Sequence, residues 1–331
     1  MTDVETYDTA LTVRGLKKYF PVKRGFFKRV SGLVKAVDGV DFDIEKGRTL
    51  SLVGESGCGK TTVAKLILRL LESDQGRIIY RGSDIGVLSQ KELRPYRKEI
   101  QIVFQDPYGS LNPRMTIGQT IEEGLRTTGT AKNKRQARVG ELLEMVGLSP
   151  DTAGRYPHEF SGGQRQRAGV ARALSVEPAL LICDEPVSAL DVSIQAQIIN
   201  LLADLQSSLG LSYLFISHDL NVVGYLSDAV AVMYLGHIVE YAPSEELFEN
   251  PLHPYTLALL ASVPEPVPGK GLAEGSLEGE VPSPLDPPPG CKFQTRCPLV
   301  EKRCMKEEIP FYPAGEGHLV RCWKVAESRD S

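Results

Sequence analysis

The segment GESGCGKT, at residues 54–61, constrains the fold more than any other part of this 331-residue sequence. It follows the apolar run TLSLV (49–53) and opens the helical pattern KTTVAKLILRLL (60–71). In a loop of this pattern the backbone amides wrap a phosphate, the lysine reaches the β and γ phosphates, and the threonine hydroxyl ligates magnesium. The sequence therefore predicts a nucleoside triphosphate site at the end of a buried strand. The predicted nucleotide-binding residues of this segment are Gly54, Glu55, Ser56, Gly57, Cys58, Gly59, Lys60, Thr61 and Thr62.

Further along the chain, buried strands alternate with helices. Apolar runs that predict such strands are QIVFQ (101–105), ALLIC (179–183) and SYLFIS (212–217). Alternation of this kind is typical of α/β proteins with a largely parallel sheet. Residues 117–175 show helical periodicity and no convincing strand pattern, which predicts a helical subdomain inserted in the α/β core.

The part of the chain before the glycine-rich loop has a different pattern. LTVRGL (11–16) and VKAVDGVDFDI (34–44) alternate apolar and polar residues, which predicts an antiparallel β subdomain. Between them, residues 17–35 place seven basic residues around Phe26 and Phe27. A basic run is usually a solvated face, and the functional alternative is contact with anionic lipid or membrane subunits.

Polar side chains follow several of the predicted strands. The run LLICDEP ends in Asp184 and Glu185, which places two carboxylates at the C-terminal edge of a parallel sheet, where ligands of open α/β folds bind. We expect Asp184 to contact magnesium and Glu185 to act as the general base on the attacking water. Gln105 and His218 follow two other strands and are expected at the same edge, although each alone also fits an ordinary polar strand end.

A second predicted anion site lies at FSGGQRQR (160–167). A serine N-cap ahead of a helix leaves backbone amides pointing outward, and such a helix start attracts anions. A chain with one complete phosphate loop does not need this second site for the same nucleotide. The segment therefore raises the question of what it binds.

Taken in order, GESGCGKT, FQDP, FSGGQRQR, LLICDEP, SALD and SHD resemble the motifs of ATP-binding cassette proteins over about residues 10–250. Only the first signature residue, Phe160, departs from the usual leucine. The resemblance implies a head-to-tail pair of cassettes, in which the signature of one chain touches the γ-phosphate held by the other. The signature residues that this assigns are Ser161, Gly162, Gly163 and Gln164.

The same resemblance assigns roles to residues outside the glycine-rich loop. Gln105, with Thr61 and Asp184, would contact magnesium and would transmit the nucleotide state to a membrane partner. His218 would hold the γ-phosphate, and Asp191 would couple the two sites of the pair. An aromatic residue before the first core strands stacks on adenine in the family, and Phe20 is the expected residue with Tyr19 as the alternative.

Other segments resemble the ATP-binding subunits of oligopeptide and dipeptide importers. They are NPLHPYTLALLASVPEP (250–266), GEVPSPLDPPPGCKFQTRCP (279–298), FQDPYGSLNPRMTI (104–117) and EPVSALDVSIQAQ (185–197). The resemblance implies a peripheral ATPase on the cytoplasmic face of a prokaryotic membrane. Its partners would be a paralogous or identical ABC subunit, two transmembrane permease subunits and an extracytoplasmic substrate-binding protein. Residues 108–115, beside Gln105, are the expected contact with the permease.

Several alternatives stay open. Importers of this type also move oligosaccharides, nickel complexes or glutathione, and cassettes do not touch the cargo. A soluble ABC ATPase acting on DNA or ribosomes is a competing class, but the single cassette and its motif spacing do not match it. The net charge of −4 shows no general attraction to nucleic acid, and we expect no nucleic-acid partner. No apolar run is long enough to span a membrane, and the N-terminus lacks a secretory signal, so we expect a cytoplasmic protein.

The predicted domains are an ABC ATPase domain at residues 8–250, an importer-type extension with a Pro/Gly-rich connector at 251–290, and a four-cysteine module at 291–322. The module contains Cys291, Cys297, Cys304 and Cys322. Four thiolates suit zinc or an iron–sulfur cluster, and the wide spacing with a Cys-Pro step favours [4Fe–4S] over zinc or unligated thiols. The expected cofactors are thus ATP, Mg²⁺ and a possible [4Fe–4S] cluster. Elsewhere, helix N-terminal amides are expected to lower the pKa of the Cys58 thiol.

Overall fold

A computed structural model describes residues 9–24, 29–262 and 279–327. Its strands are β1 (Thr9–Arg24), β2 (Arg29–Glu45), β3 (Thr49–Val53), β4 (Gln75–Tyr80), β5 (Ser83–Asp84), β6 (Ile100–Val103), β7 (Leu180–Asp184), β8 (Ser212–Ser217), β9 (Ala229–Tyr234), β10 (His237–Pro243), β11 (Tyr312–Gly315) and β12 (His318–Val320). Its α-helices are α1 (Lys60–Ile67), α2 (Tyr96–Glu99), α3 (Pro107–Ser110), α4 (Ile117–Thr127), α5 (Lys132–Met145), α6 (Gly162–Leu174), α7 (Val192–Leu209), α8 (Leu220–Leu226), α9 (Ser244–Glu249), α10 (Pro254–Ala261) and α11 (Trp323–Glu327). Short 3₁₀ turns cover Ile85–Val87, Pro150–Gly154, Pro157–Glu159 and Lys302–Met305.

The described chain falls into two compact units. The first contains residues 9–10, Ile44–Thr49 and Val87–Ser217, and the second contains Leu11–Asp43, Leu50–Gly86 and the described residues from His218 onward. Phe26 and Phe27 of the basic segment lie outside the described residues, as do residues 263–278 of the predicted connector. The predicted domain boundaries stay a prediction.

The first unit combines a parallel sheet with a group of helices. β7 pairs in parallel with β6 on one side and with β8 on the other, and every residue of β7 and β8 is buried. Residues 117–175, all of which the structure describes, form helices and turns and contain no strand, as predicted. Within this segment α4 packs against α5 and α6.

The second unit contains an antiparallel sheet and the strand that carries the glycine-rich loop. β1 pairs antiparallel with β4, and β4 with β5, which confirms the predicted antiparallel part. β3 pairs in parallel with β9, and β9 pairs antiparallel with β10. The loop therefore follows a strand whose residues are all buried, as the apolar run TLSLV predicts.

The C-terminal module contains regular structure that the sequence patterns do not predict. β11 and β12 form an antiparallel pair, and β12 adds to β10 through Glu240 opposite Val320. Beside this junction the buried Glu240 carboxylate lies 2.8 Å from Nε2 of the buried His318. The module is therefore continuous with the β9–β10 sheet of the second unit.

Across the described residues, no helix has both the length and the apolar character that crossing a membrane would require.

Candidate nucleotide site

The glycine-rich loop between β3 and α1 is shaped by two glycines with positive φ. Gly54 has φ 146° and Gly59 has φ 113°, conformations that residues with a Cβ rarely adopt. A Cβ on Gly54 would lie 2.1 Å from the Met233 carbonyl oxygen, and one on Gly59 would lie 2.1 Å from that of Ala36. Both contacts are shorter than real Cβ atoms tolerate, so these positions accept only glycine.

Lys60, the first residue of α1, lies back against the loop. Its buried ammonium donates hydrogen bonds to the carbonyl oxygens of Gly54, at 2.7 Å, and Glu55, at 3.1 Å. Ser56 and Gly57, at the tip of the loop, are exposed, and Thr61 and Thr62 are half-buried. The loop therefore presents its backbone tip to solvent with a lysine charge directly behind it, an arrangement suited to a phosphate.

The expectation for Cys58 is wrong in direction. This thiol is buried in the loop, with 4% of the residue exposed. Burial raises the pKa of the Cys58 thiol, although Lys60 acts to lower it. Desolvation disfavours the thiolate more than the neighbouring ammonium favours it.

The C-terminal edge of the β6–β8 sheet brings predicted residues together. Asp184 is the buried last residue of β7, and Glu185 follows it with φ 47°. The Glu185 amide donates to the Ile216 carbonyl oxygen at 2.9 Å, and Gln105 Nε2 donates to Glu185 Oε2 at 3.0 Å. A left-handed glutamate costs roughly 1–2 kcal/mol, and such strain is often kept at functional sites. Gln105 and Glu185 thus share one edge, as predicted.

His218 and Asp191 occupy the ends of other elements. His218 directly follows β8 and is exposed, and its neighbour Asp219 caps α8 by accepting the Asn221 amide at 3.0 Å. Asp191 is the exposed N-cap residue of α7, where its carbonyl oxygen accepts the amide of Ile194 at 2.9 Å. Both side chains are therefore at accessible positions.

The predicted N-cap of the signature helix is confirmed in α6. Ser161 Oγ accepts the Gln164 amide at 3.3 Å, and the Gln164 side chain accepts the Ser161 amide at 3.0 Å, which completes a capping box. A Cβ on Gly163 would lie 2.5 Å from Ile194 Cγ2, so glycine allows α6 to approach α7. Gly162 is half-buried, whereas Ser161 and Gln164 are exposed.

The signature helix α6 is attached to the segment on both sides of Gln105, by contacts that the sequence patterns do not predict. The Arg165 guanidinium lies 3.6 Å from the centroid of the Tyr108 ring, and Gln166 Nε2 donates to the Phe104 carbonyl oxygen at 3.3 Å. The alternating arginines of FSGGQRQR are the only sequence signal of this contact. The segment expected to meet the permease is therefore joined to the signature helix.

Of the two candidate aromatic residues, Tyr19 already has a partner. Its hydroxyl donates to Asp38 Oδ1 at 2.5 Å, and burial together with this carboxylate raises the pKa of Tyr19. His237 and Lys35 also lie beside Asp38, at 3.5 and 3.6 Å from Oδ2. The Phe20 side chain has no hydroxyl group to satisfy, and Phe20 stays the predicted adenine-stacking residue.

Comparisons with known proteins agree with this arrangement. The family model described as "ABC transporter" matches residues 37–188, and "Oligopeptide/dipeptide transporter, C-terminal region" matches residues 239–304. The chain is 54% identical over 321 residues to the oligopeptide transport ATP-binding protein AppF of Bacillus subtilis, covering 95% of this chain and 97% of AppF. The chain belongs to the ABC transporter family. It is also 49% identical to OppF of Salmonella typhimurium, covering 97% of this chain and 98% of OppF.

Solved ABC structures share the fold of this ABC subunit. The cassette MJ0796, in a dimeric post-hydrolysis state bound to ADP and Pi, matches with a TM-score of 0.61 and 26% identity, covering 71% of this chain and 98% of that one. CbiO1 of Clostridium perfringens matches with a TM-score of 0.64 and 28% identity, covering 73% and 92% of the two chains. The predicted α/β ABC ATPase fold, with its antiparallel, helical and C-terminal parts, is thereby confirmed.

The four cysteines of the C-terminal module lie around one small cavity. Cys291, Cys297, Cys304 and Cys322 all line it, its volume is about 20 Å³, and all four are free thiols. Burial raises the pKa of Cys291 to about 11 and also raises that of Cys297 and Cys322. Among the described residues, however, no three His, Cys, Asp or Glu side chains are arranged to hold a metal ion. The donor set suits a metal or cluster, but its present placement does not form a site.

Proposed function

We propose that this ABC subunit hydrolyses ATP to energise the import of oligopeptides or dipeptides. The observation that carries the proposal is the combination of the complete phosphate loop with a C-terminal region of the oligopeptide/dipeptide transporter type at residues 239–304. AppF and OppF, whose names describe oligopeptide transport, match the chain over nearly its whole length. The protein would act at the cytoplasmic face of a prokaryotic membrane.

The nucleotide roles follow the positions described above. Residues 54–62 would hold the phosphates, with Lys60 as the charge behind the loop, and Phe20 would stack on adenine. When bound, Mg²⁺ would neutralise phosphate charge, and Thr61, Gln105 and Asp184 are the residues proposed to hold it.

The proposed hydrolytic step places a water beside Glu185, which accepts its proton as the water oxygen bonds to the γ-phosphorus and the bond from that phosphorus to the β–γ bridging oxygen breaks, so that ADP and phosphate leave. The hydrogen bond from Gln105 supports this role, because it orients the Glu185 carboxylate at the sheet edge. His218 would donate to the γ-phosphate.

The second anion site is proposed to serve a neighbouring chain. Ser161 and Gln164 are exposed at the start of α6, and Gly163 allows this helix start to approach α7. Ser161, Gly162, Gly163 and Gln164 would contact the nucleotide held by a paralogous or identical ABC subunit, with Asp191 at the junction. The dimeric MJ0796 structure with ADP and Pi is consistent with such a pair.

The proposed assembly also contains two transmembrane permease subunits and an extracytoplasmic substrate-binding protein. The test is ATPase activity of the purified assembly in liposomes, with the binding protein presented with peptides, oligosaccharides, nickel complexes or glutathione in turn. We expect peptides to stimulate hydrolysis. Stimulation by one of the other solutes would move the substrate assignment to it. Full activity of the isolated chain without nucleotide-dependent association would instead favour a soluble ABC ATPase.

We propose the four thiols around the 20 Å³ cavity as the position of the [4Fe–4S] cluster that their spacing predicts. Their convergence on one cavity supports this, whereas their present placement lacks metal-binding geometry. Iron, zinc and acid-labile sulfide should be measured on anaerobically purified protein. About four iron and four sulfide per chain are expected from the cluster type. Stoichiometric zinc would replace the cluster by a zinc site, and a stable metal-free protein would refute both.

A further inference from the structure

Glu55, the second residue of the phosphate loop, is bound at two points by the C-terminal part of the chain. Its backbone amide donates to the Tyr255 hydroxyl oxygen at 2.8 Å. Its carboxylate accepts two hydrogen bonds from Arg296, from Nη1 to Oε2 at 2.7 Å and from Nη2 to Oε1 at 3.2 Å. All three residues belong to the second compact unit. Two residues remote in sequence thus determine both the backbone and the charge of Glu55.

Arg296 is held rigidly in this position. It lies between Cys291 and Cys297, and only 3% of its side chain is exposed. Its guanidinium lies 5.9 Å from the ring centroids of both Tyr234 and Phe293. A bidentate contact between a guanidinium and a carboxylate fixes the orientation of the carboxylate and also neutralises its charge. The ion pair between Arg296 and Glu55 is therefore buried on the arginine side and held in one geometry, unlike a mobile surface ion pair.

Tyr255 belongs to the same packed cluster. Its ring centroid lies 4.6 Å from that of Tyr234 and 5.4 Å from that of Phe293. Tyr255 is fully buried, so its hydroxyl has a defined direction toward the Glu55 amide. The phosphate loop is thereby anchored to a hydrophobic core of the second unit that contains Tyr234, Tyr255 and Phe293.

The charge of Glu55 makes this anchoring relevant to ATP. A carboxylate in the phosphate loop repels a triphosphate, and the repulsion is strong where solvent screening is weak. Arg296 cancels that charge and keeps the carboxylate away from other orientations. Without Arg296, an uncompensated carboxylate would stay at the loop, and a partly buried unpaired charge is itself destabilising.

We propose that Arg296 of the four-cysteine module and Tyr255 of α10 are positioning residues for ATP binding, through which these two parts of the chain set the charge and shape of the phosphate loop. The inference rests on the proposed function, in which residues 54–62 hold the phosphates. It adds a role for the C-terminal module in nucleotide affinity. Neither residue is proposed to touch the nucleotide.

The test is binding of a fluorescent ATP analogue, N-methylanthraniloyl-ATP, to the full chain. Arg296→Ala should raise the dissociation constant about tenfold, the effect of one unit charge acting roughly 12 Å from another at an effective dielectric constant of about 20. In the assembled transporter the KM for ATP should rise similarly, while kcat changes less than about twofold, because only binding is affected. Arg296→Lys should lose only about half as much affinity as Arg296→Ala on a logarithmic scale, because lysine keeps the positive charge but cannot make the bidentate contact.

Arg303→Ala is the matched control. Arg303 lies in the same module, and its ion pairs are with Glu301 at 3.2 Å and Glu327 at 2.6 Å. Its replacement removes an arginine from the module without removing a partner of Glu55. ATP affinity should therefore stay at the wild-type value, and an equal loss in both variants would overturn the proposal.

A double-mutant cycle separates a charge effect from simple loss of folding. In the Glu55→Gln/Arg296→Ala double variant neither charge is present, so its dissociation constant should lie within about threefold of the wild-type value, and Glu55→Gln should thus restore the affinity that Arg296→Ala loses. A double variant that binds as weakly as Arg296→Ala, or wild-type affinity of Arg296→Ala, would overturn the inference. Lys60→Ala tests the proposed function separately. Unchanged ATP affinity of Lys60→Ala would refute the phosphate site itself. Loss of ATP affinity in Lys60→Ala together with wild-type affinity of Arg296→Ala would refute only the inference.

Discussion

Replacing Glu240 by Gln should destabilise the second unit by about 3 kcal/mol, because the carboxylate accepts several hydrogen bonds in a fully buried position. Its oxygens accept the amide of Leu252 at 2.7 Å and that of His253 at 3.0 Å, and Oε1 lies 2.8 Å from His318 Nε2. A glutamine has one oxygen and would turn its NH₂ group toward one set of these donors. At least one backbone amide would then lose a charge-assisted acceptor.

The same replacement should remove a pH dependence. Burial acts to raise the pKa of Glu240, but hydrogen bonds from His318 and from the Leu252 and His253 amides hold it below its ordinary value of 4.5. A carboxyl group with a lowered folded-state pKa contributes stability that is complete above the unfolded value and is lost as the pH falls through the folded value. The stability difference between wild type and Glu240→Gln should therefore be constant above about pH 5 and shrink below 4.5.

The assay is urea unfolding followed by fluorescence of Trp323, the single tryptophan, which lies in the same unit. Glu301→Gln is the control, since this half-buried glutamate pairs with Arg303 and Lys324, accepts no backbone amide in a fully buried position, and should change stability far less. Equal stability of wild type and Glu240→Gln at pH 7, or a difference that does not shrink in acid, would refute the reasoning.

Three further predictions concern the nucleotide site. Glu185→Gln should lower ATP hydrolysis about a hundredfold to ten thousandfold while ATP-bound dimers persist in size-exclusion chromatography, and retained hydrolysis would remove Glu185 from the role of base. Ser161→Ala should lower the free energy of unfolding by about 1 kcal/mol, because α6 loses its N-cap, and should also abolish ATP-dependent dimers. The matched variant Thr116→Ala, which removes the N-cap of α4, should still form these dimers. Dimers in both variants would contradict the proposed role of Ser161. Cys58 should react with iodoacetamide more slowly at pH 8 than a free cysteine does, because burial raises its pKa, and peptide mass spectrometry showing rapid labelling would contradict this.

Glu240 is connected to the phosphate loop through a series of hydrogen bonds. Glu240 accepts the amides of Leu252 and His253, and the side chain of His253 in turn accepts the Tyr255 amide at 3.0 Å. Tyr255 then contacts the phosphate loop. A loss of order at Glu240 is therefore expected to weaken ATP affinity as well as stability.

Features that depend on short spacings lie where the sequence patterns predict them. The glycine-rich loop after an apolar strand, the acidic pair that ends β7 and the serine cap of α6 are all found at the predicted residues. The helical character of residues 117–175 was also predictable. Each of these features is set by the conformational preferences of a few neighbouring residues, which a linear pattern records directly.

Contacts between residues remote in sequence, and the effect of burial on their ionisation, depend on how the whole chain packs. Tyr255 and Arg296 lie 200 and 241 positions from Glu55 in the chain, and no spacing rule connects them. The pKa of Cys58 is raised because the loop is buried, although its neighbours in sequence predict the opposite. Long-range packing sets both contact and desolvation, so the sequence pattern predicts the phosphate loop but not the C-terminal residues that hold it.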